Sequence, residues 1–65
     1  MSFRLVEVNA CRYDIINGSG VIGAVYWFGN LRQHQERPYN VVVNKKDEGM
    51  FKDLTEVREF LSTVL

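Results

Sequence analysis

Residues 21–28 have the sequence Val-Ile-Gly-Ala-Val-Tyr-Trp-Phe, and this stretch decides the fold. It is dominated by β-branched and aromatic residues, which favour a strand. The segment before it, Asn17-Gly18-Ser19-Gly20, contains an Asn-Gly pair that tolerates the positive φ angles of a tight hairpin turn. Residues 21–28 are therefore predicted to form a strand that leaves a hairpin and ends at Gly29-Asn30.

Further strands are predicted on both sides of this one. Phe3 to Ala10 alternates apolar and polar residues. Residues 11–16 either continue that strand or form a second one after a bend near Asn9. The polar segment from Leu31 to Pro38 lacks alternation and is predicted to be an exposed loop. A strand from Tyr39 to Asn44 follows, and residues 45–49 are predicted to be a turn.

The C-terminal segment has the pattern of an amphipathic helix. Asp53 suits the N-cap, and Glu56 three residues later has the spacing of a capping box. Four apolar positions that follow lie on one helical stripe, Leu54, Val57, Leu61 and Val64, with Phe60 and Leu65 beside it. The sequence thus predicts one α+β domain over residues 1–65. Its small antiparallel sheet has three to four strands in β-β-β-α order, with the C-terminal helix packed on one face.

The composition of the chain limits the classes of protein and the cellular compartments that fit it. It has 65 residues, and eight Lys+Arg balance eight Asp+Glu, so the formal charge is zero. Nucleic-acid-binding domains usually carry a basic excess, so neutrality argues against that class. The single cysteine, Cys11, allows no intrachain disulfide and suits a reducing compartment. The longest apolar stretch is far shorter than the ~20 residues of a transmembrane helix. A cytoplasmic location is expected.

The strands are more apolar than one covered face requires. Neighbouring strand residues point to opposite faces, so at least one ring of Tyr26-Trp27-Phe28 must point away from the helix. One helix covers only one face of a sheet. We expect the second face to meet another protein, first of all a second copy in a homodimer, with Tyr26, Trp27, Phe28 and Tyr39 as the candidate partner-binding residues. A mixed face that stays in water is the simpler alternative.

Two other functions remain as alternatives. A nucleic-acid-binding module would use the sheet and the Arg32–Arg37 loop, and its candidate contacts are Arg32, Arg37, Lys45 and Lys46, provided that the two basic segments share one end of the sheet. A minimal enzyme would need a site shared between subunits around His34. A solvated loop histidine is the simpler interpretation, because His34 has no nucleophile or orienting residue near it in sequence.

One motif is formally suggestive. Gly18-x-Gly20-x-x-Gly23 matches the dinucleotide-binding fingerprint, but that motif must lead into a helix, and here it leads into a strand. A hairpin turn, with Gly23 at a bulge or a close-packing position, explains these glycines better. Cys11 is most simply a small apolar core or sheet residue. The sequence therefore predicts a non-catalytic protein with no cofactor, no metal site and no catalytic residue.

Overall fold

The computed structural model describes residues 3–18 and 20–65, and within them five strands are followed by one α-helix. The strands are β1 (Arg4–Asn9), β2 (Arg12–Asn17), β3 (Gly20–Trp27), β4 (Tyr39–Val43) and β5 (Lys46–Phe51), and the helix is α1 (Leu54–Val64). The strands form one sheet in the order β1-β2-β3-β4-β5, and every neighbouring pair is antiparallel. The predicted α+β class with a C-terminal helix is confirmed. The predicted three to four strands are too few.

The first additional strand comes from a turn near the N-terminus. Asn9 accepts a hydrogen bond at its Oδ1 from the Cys11 backbone N–H, 2.8 Å away, and this contact reverses the chain between β1 and β2. Of the two alternatives left open for residues 11–16, a separate strand is therefore correct. Cys11 lies exposed in this turn, so the expectation that it is a core or sheet residue is wrong.

The second additional strand replaces a predicted turn. Residues 45–49 were expected to form a turn, but the reversal is complete in two residues, Asn44 and Lys45, with φ angles of 52° and 67°. Because the turn is so short, β5 begins at Lys46 and pairs with β4 from there. Its charged residues misled the prediction, although charges are common on edge strands, where they discourage association.

The glycines of β3 have the predicted structural roles. Asn17 pairs with Gly20, and Gly18 between them has φ +66°; Ser19 of the same predicted turn lies outside the described residues. Ile15 and Ile16 of β2 pair with Gly23 and Val21, so Ile22 is the extra residue of a bulge in β3. A Cβ atom at Gly23 would clash with the carbonyl oxygen of Val42. Of the two alternatives for Gly23, the close-packing position is confirmed, and the bulge lies next to it at Ile22.

The helix begins as predicted. Asp53 accepts the Glu56 backbone N–H at 2.8 Å, which confirms the N-cap. The Glu56 carboxylate accepts the Lys52 backbone N–H at 3.3 Å and also bonds Arg37, so it ties the loop before β4 to the helix. Val57 and Leu61 are fully buried, whereas Val64 is 50% exposed, so the predicted apolar stripe is only partly covered.

The core lies between the helix and one face of the sheet. Its buried members come from three strands and the helix: Ile15, Val25, Val41, Val43, Val57 and Leu61. The helix lies against β4 and β5, and the rings of Phe51 and Phe60 are 5.0 Å apart between them. The opposite edge of the sheet, β1, is the most exposed strand. The cover provided by the helix is therefore asymmetric.

Candidate binding surfaces

The aromatic residues proposed for partner binding lie on two different faces. Paired residues in an antiparallel sheet share a face, and successive residues alternate between faces. Trp27 pairs with Tyr39 and shares the face of the buried Val25, which is covered by the helix. Tyr26 pairs with Asn40 on the other face, called the open face here. The ring of Phe28 lies 6.5 Å from that of Tyr26 and is stacked with it. The four residues therefore do not form one surface.

On the helix side, Trp27 and Tyr39 contribute to an aromatic recess. Ala10, Tyr13, Trp27 and Tyr39 line this shallow depression of about 270 Å³. A side chain at Gly29 would collide with the indole of Trp27, so a glycine there lets the chain pass against the ring. Tyr13, absent from the sequence-based candidates, was identifiable only through its pairing with Val25.

Electrostatics keeps the recess uncharged. Burial raises the pKa of the Tyr39 phenol, and the neighbouring Tyr13 and Asp53 raise that pKa further because they oppose a second negative charge. Tyr39 therefore stays protonated well above neutral pH. The recess is lined mainly by aromatic rings, two of them from tyrosines, which suits contact with an apolar group rather than proton transfer.

On the open face, a line of side chains runs from β2 into the loop before β4. The Arg12 guanidinium lies 5.6 Å from the ring centroid of Tyr26 and forms an ion pair with Asp14 at 3.1 Å. Phe28 continues the line, and its ring lies 5.8 Å from that of His34. His34 is therefore half-buried against an aromatic ring, which differs from the solvated loop histidine that was expected.

The same face carries an aliphatic cluster nearer β1. Ile16 pairs with Val21, and Val6 lies diagonally across from Ile16, because it pairs with Asp14 two residues away. These three residues are called the valine patch here. Val6 is 43% and Val21 59% exposed, so nothing within the described residues covers them. The open face is thus mixed: apolar beside β1, and polar and aromatic toward Arg12 and Tyr26.

The basic residues proposed for nucleic-acid contacts do not form one patch. Arg32 and Arg37 precede β4, whereas Lys45 and Lys46 follow it. The two groups therefore lie at opposite ends of a five-residue strand, about 14 Å apart along its axis. Arg37 is also engaged by Glu56 at 3.2 Å. The requirement that both basic segments share one end of the sheet is not met.

Comparison with known proteins gives no family. The chain matches no protein-family model, no curated protein and no solved structure. Within residues 3–18 and 20–65, no helix is long and apolar enough to cross a membrane. In the same part of the chain, no three His, Cys, Asp or Glu side chains are grouped closely enough to hold a metal ion.

Proposed function

We propose that this chain is a small non-catalytic interaction module that works as a homodimer, with its interface at the exposed aliphatic residues next to β1. The observation that carries the proposal is the valine patch, where Val6 and Val21 stay about half exposed while the helix covers the other side of the sheet. Each such valine that becomes buried contributes roughly 1 kcal/mol to association.

The arrangement of polar groups on the open face is compatible with this role. Arg12 is paired with Asp14, and Asn40 donates to Asp47 at 2.9 Å. An unpaired charge at an interface is costly, whereas these groups already have partners within the chain. A partner therefore has only to cover the apolar part of the face, next to β1. The small size of the domain adds a reason to associate, since a ~60-residue domain buries only about 60% of the surface that its unfolded chain exposes, less than a larger domain does.

Solution mass tests the proposal directly. Sedimentation velocity from low to high micromolar concentration should show a monomer–dimer equilibrium for the wild-type chain. Val6→Lys should shift that equilibrium at least tenfold toward monomer, because it places a charge in the valine patch. Val64→Lys is the matched control, since Val64 is 50% exposed against 43% for Val6 but lies on the helix; it should leave the equilibrium unchanged. A wild-type chain that stays monomeric at every concentration contradicts the proposal.

A second candidate function, a nucleic-acid-binding module, is favoured by one specific observation. Arg12, Tyr26 and Phe28 form a line of stacked groups on the open face, and His34 joins the Arg32–Arg37 loop to it. Aromatic rings on a sheet surface are typical platforms for unpaired bases. This alternative uses Arg32 from the predicted contacts, while Lys45 and Lys46 lie at the other end of β4.

Fluorescence anisotropy with a labelled single-stranded oligonucleotide tests this alternative. Binding should weaken as salt rises, because phosphate contacts release counterions. Phe28→Ala should weaken it by roughly 5- to 150-fold, the effect of losing one base stack. Leu31→Ala, in the same loop and exposed, serves as the control. Absence of binding at low salt would eliminate the alternative.

A further inference from the structure

The interface can be assigned to one element of the sheet. We infer that β1 pairs edge to edge and antiparallel with β1 of a second copy, so that two five-stranded sheets join into one of ten strands. The inference rests on the proposed homodimer and specifies how the two copies meet. The partner is a strand because an edge carries a row of main-chain donors and acceptors, which an extended chain satisfies at the right spacing.

The two edges of the sheet differ in how they discourage such pairing. β5 combines charged residues at 46–48, a register shift, Gly49 with φ +97° and the helix lying against it. Each of these features hinders the addition of a strand. β1 has one register shift, between Glu7 and Asn9, and its side chains Val6 and Val8 are 43% and 52% exposed. β1 is therefore the edge open to a partner.

Symmetry and charge select the register. In a two-fold antiparallel pair, opposed residues share a face, so the axis passes through a residue paired with its own copy. An axis at Arg4 or Glu7 would oppose like charges, which is destabilising. An axis at Leu5 leaves Val8 without an opposing residue in the described part of β1, and an axis at Val8 would pair only residues 7–9 of the strand. An axis at Val6 places the two copies of Val6 together and sets Val8 against the aliphatic part of Arg4.

Two variants that introduce opposite charges at Val6 test this register. Val6→Lys and Val6→Glu should each be monomeric at concentrations where the wild-type chain is dimeric, because each opposes two like charges across the axis. An equimolar mixture of the two variants should form dimers again, with an affinity at least tenfold above that of either variant alone. Sedimentation velocity measures all three samples, and circular dichroism checks that each variant is folded.

Val21→Lys separates strand pairing from packing of the open faces. Val21 lies on β3, two strands inward from the edge, so a dimer joined at β1 should retain its affinity within about threefold. If Val21→Lys abolishes the dimer and the Val6 mixture does not restore it, the edge assignment is wrong while the proposed homodimer stands. If the wild-type chain never associates, the proposed function fails as well.

Discussion

The two edge strands of the sheet, β5 and β1, differ in their contacts with the rest of the chain and in the exposure of their side chains. β5 ends against the helix, and its Asp47 accepts hydrogen bonds from Asn40 at 2.9 Å and from the Gly49 N–H at 2.8 Å. β1 has mostly exposed side chains and an exposed aliphatic pair, Val6 and Val8. One edge is therefore covered and locally bonded, whereas the other remains available for a further strand.

The dimensions of the helix and of the sheet explain why the helix covers β4 and β5 better than β1. An 11-residue helix is about 16 Å long but only about 10 Å wide, and five strands span about 19 Å across the sheet. The helix makes its main contacts with β4 and β5, at the side of the sheet away from β1, so β1 receives less cover. In a chain of this size, the position of one helix decides which edge is left for a partner.

Truncating a buried helix residue that packs on the sheet should have the largest effect on stability. Leu61 is fully buried between helix and sheet, so Leu61→Ala should lower the free energy of unfolding by about 2–5 kcal/mol. Val64→Ala, on the same helix but half exposed, should change it by less than about 0.5 kcal/mol. Urea denaturation of the two variants provides the measurement. Equal effects would show that the helix does not cover the sheet as described.

Adding a methyl group at the centre of the sheet should have the next largest effect. Gly23→Ala forces the new Cβ against the Val42 carbonyl and should cost about 1–3 kcal/mol through overpacking. Gly20→Ala is the control, because a Cβ there meets nothing within 4 Å. Thermal unfolding should separate the two variants by several degrees. A harmless Gly23→Ala would contradict the β3–β4 register.

Removing the N-cap of the helix should have a smaller effect on stability. Asp53 caps the helix through its bond to the Glu56 N–H, so Asp53→Ala should destabilise the fold by about 0.5–2 kcal/mol. Asp53→Asn keeps a capping oxygen and should retain most of the stability. Chemical denaturation of both variants distinguishes capping from a general charge effect, which would affect them equally.

Removing the negative charge of Asp47 on β5 should have the smallest effect on stability, and this effect should depend on pH. The Gly49 N–H and then the Asn40 amide hold the pKa of Asp47 below its usual value of 3.8. A lowered folded-state pKa means that this stabilisation is present above about pH 4 and is lost as the pH falls through the folded value. Asp47→Asn should therefore be slightly less stable than wild type at pH 7, and the difference should shrink near pH 2.5. A constant difference would show that ionisation of Asp47 plays no part.

Local sequence signals predicted the helix, its Asp53 cap, the hairpin and the special position of Gly23. Each depends on residues close in sequence, where capping and turn chemistry act directly. β5 was missed because its turn needed positive φ at Asn44 and Lys45, which are not glycines. The charged residues of β5 have the composition of a turn, but in the fold they lie on an edge strand.

The candidate surfaces were harder to predict because they depend on register. Alternation indicated that Tyr26, Trp27 and Phe28 could not share one face, but only the pairing with β4 shows that Trp27 lies with Tyr39. Tyr13 joins them through its pairing with Val25, across a hairpin that contains a bulge. The separation of Arg32 from Lys45, in contrast, follows from chain order, since one precedes β4 and the other follows it, and the predicted strand from Tyr39 to Asn44 already implied it.

Amide hydrogen exchange at two protein concentrations tests the central claim most directly. The β1 amides that face away from β2 should exchange more slowly at high micromolar than at low micromolar concentration, because the second copy protects them. The outer amides of β5 should exchange at the same rate in both samples. Equal exchange at both concentrations along β1, in samples whose mass shows dimers, would contradict strand pairing at that edge.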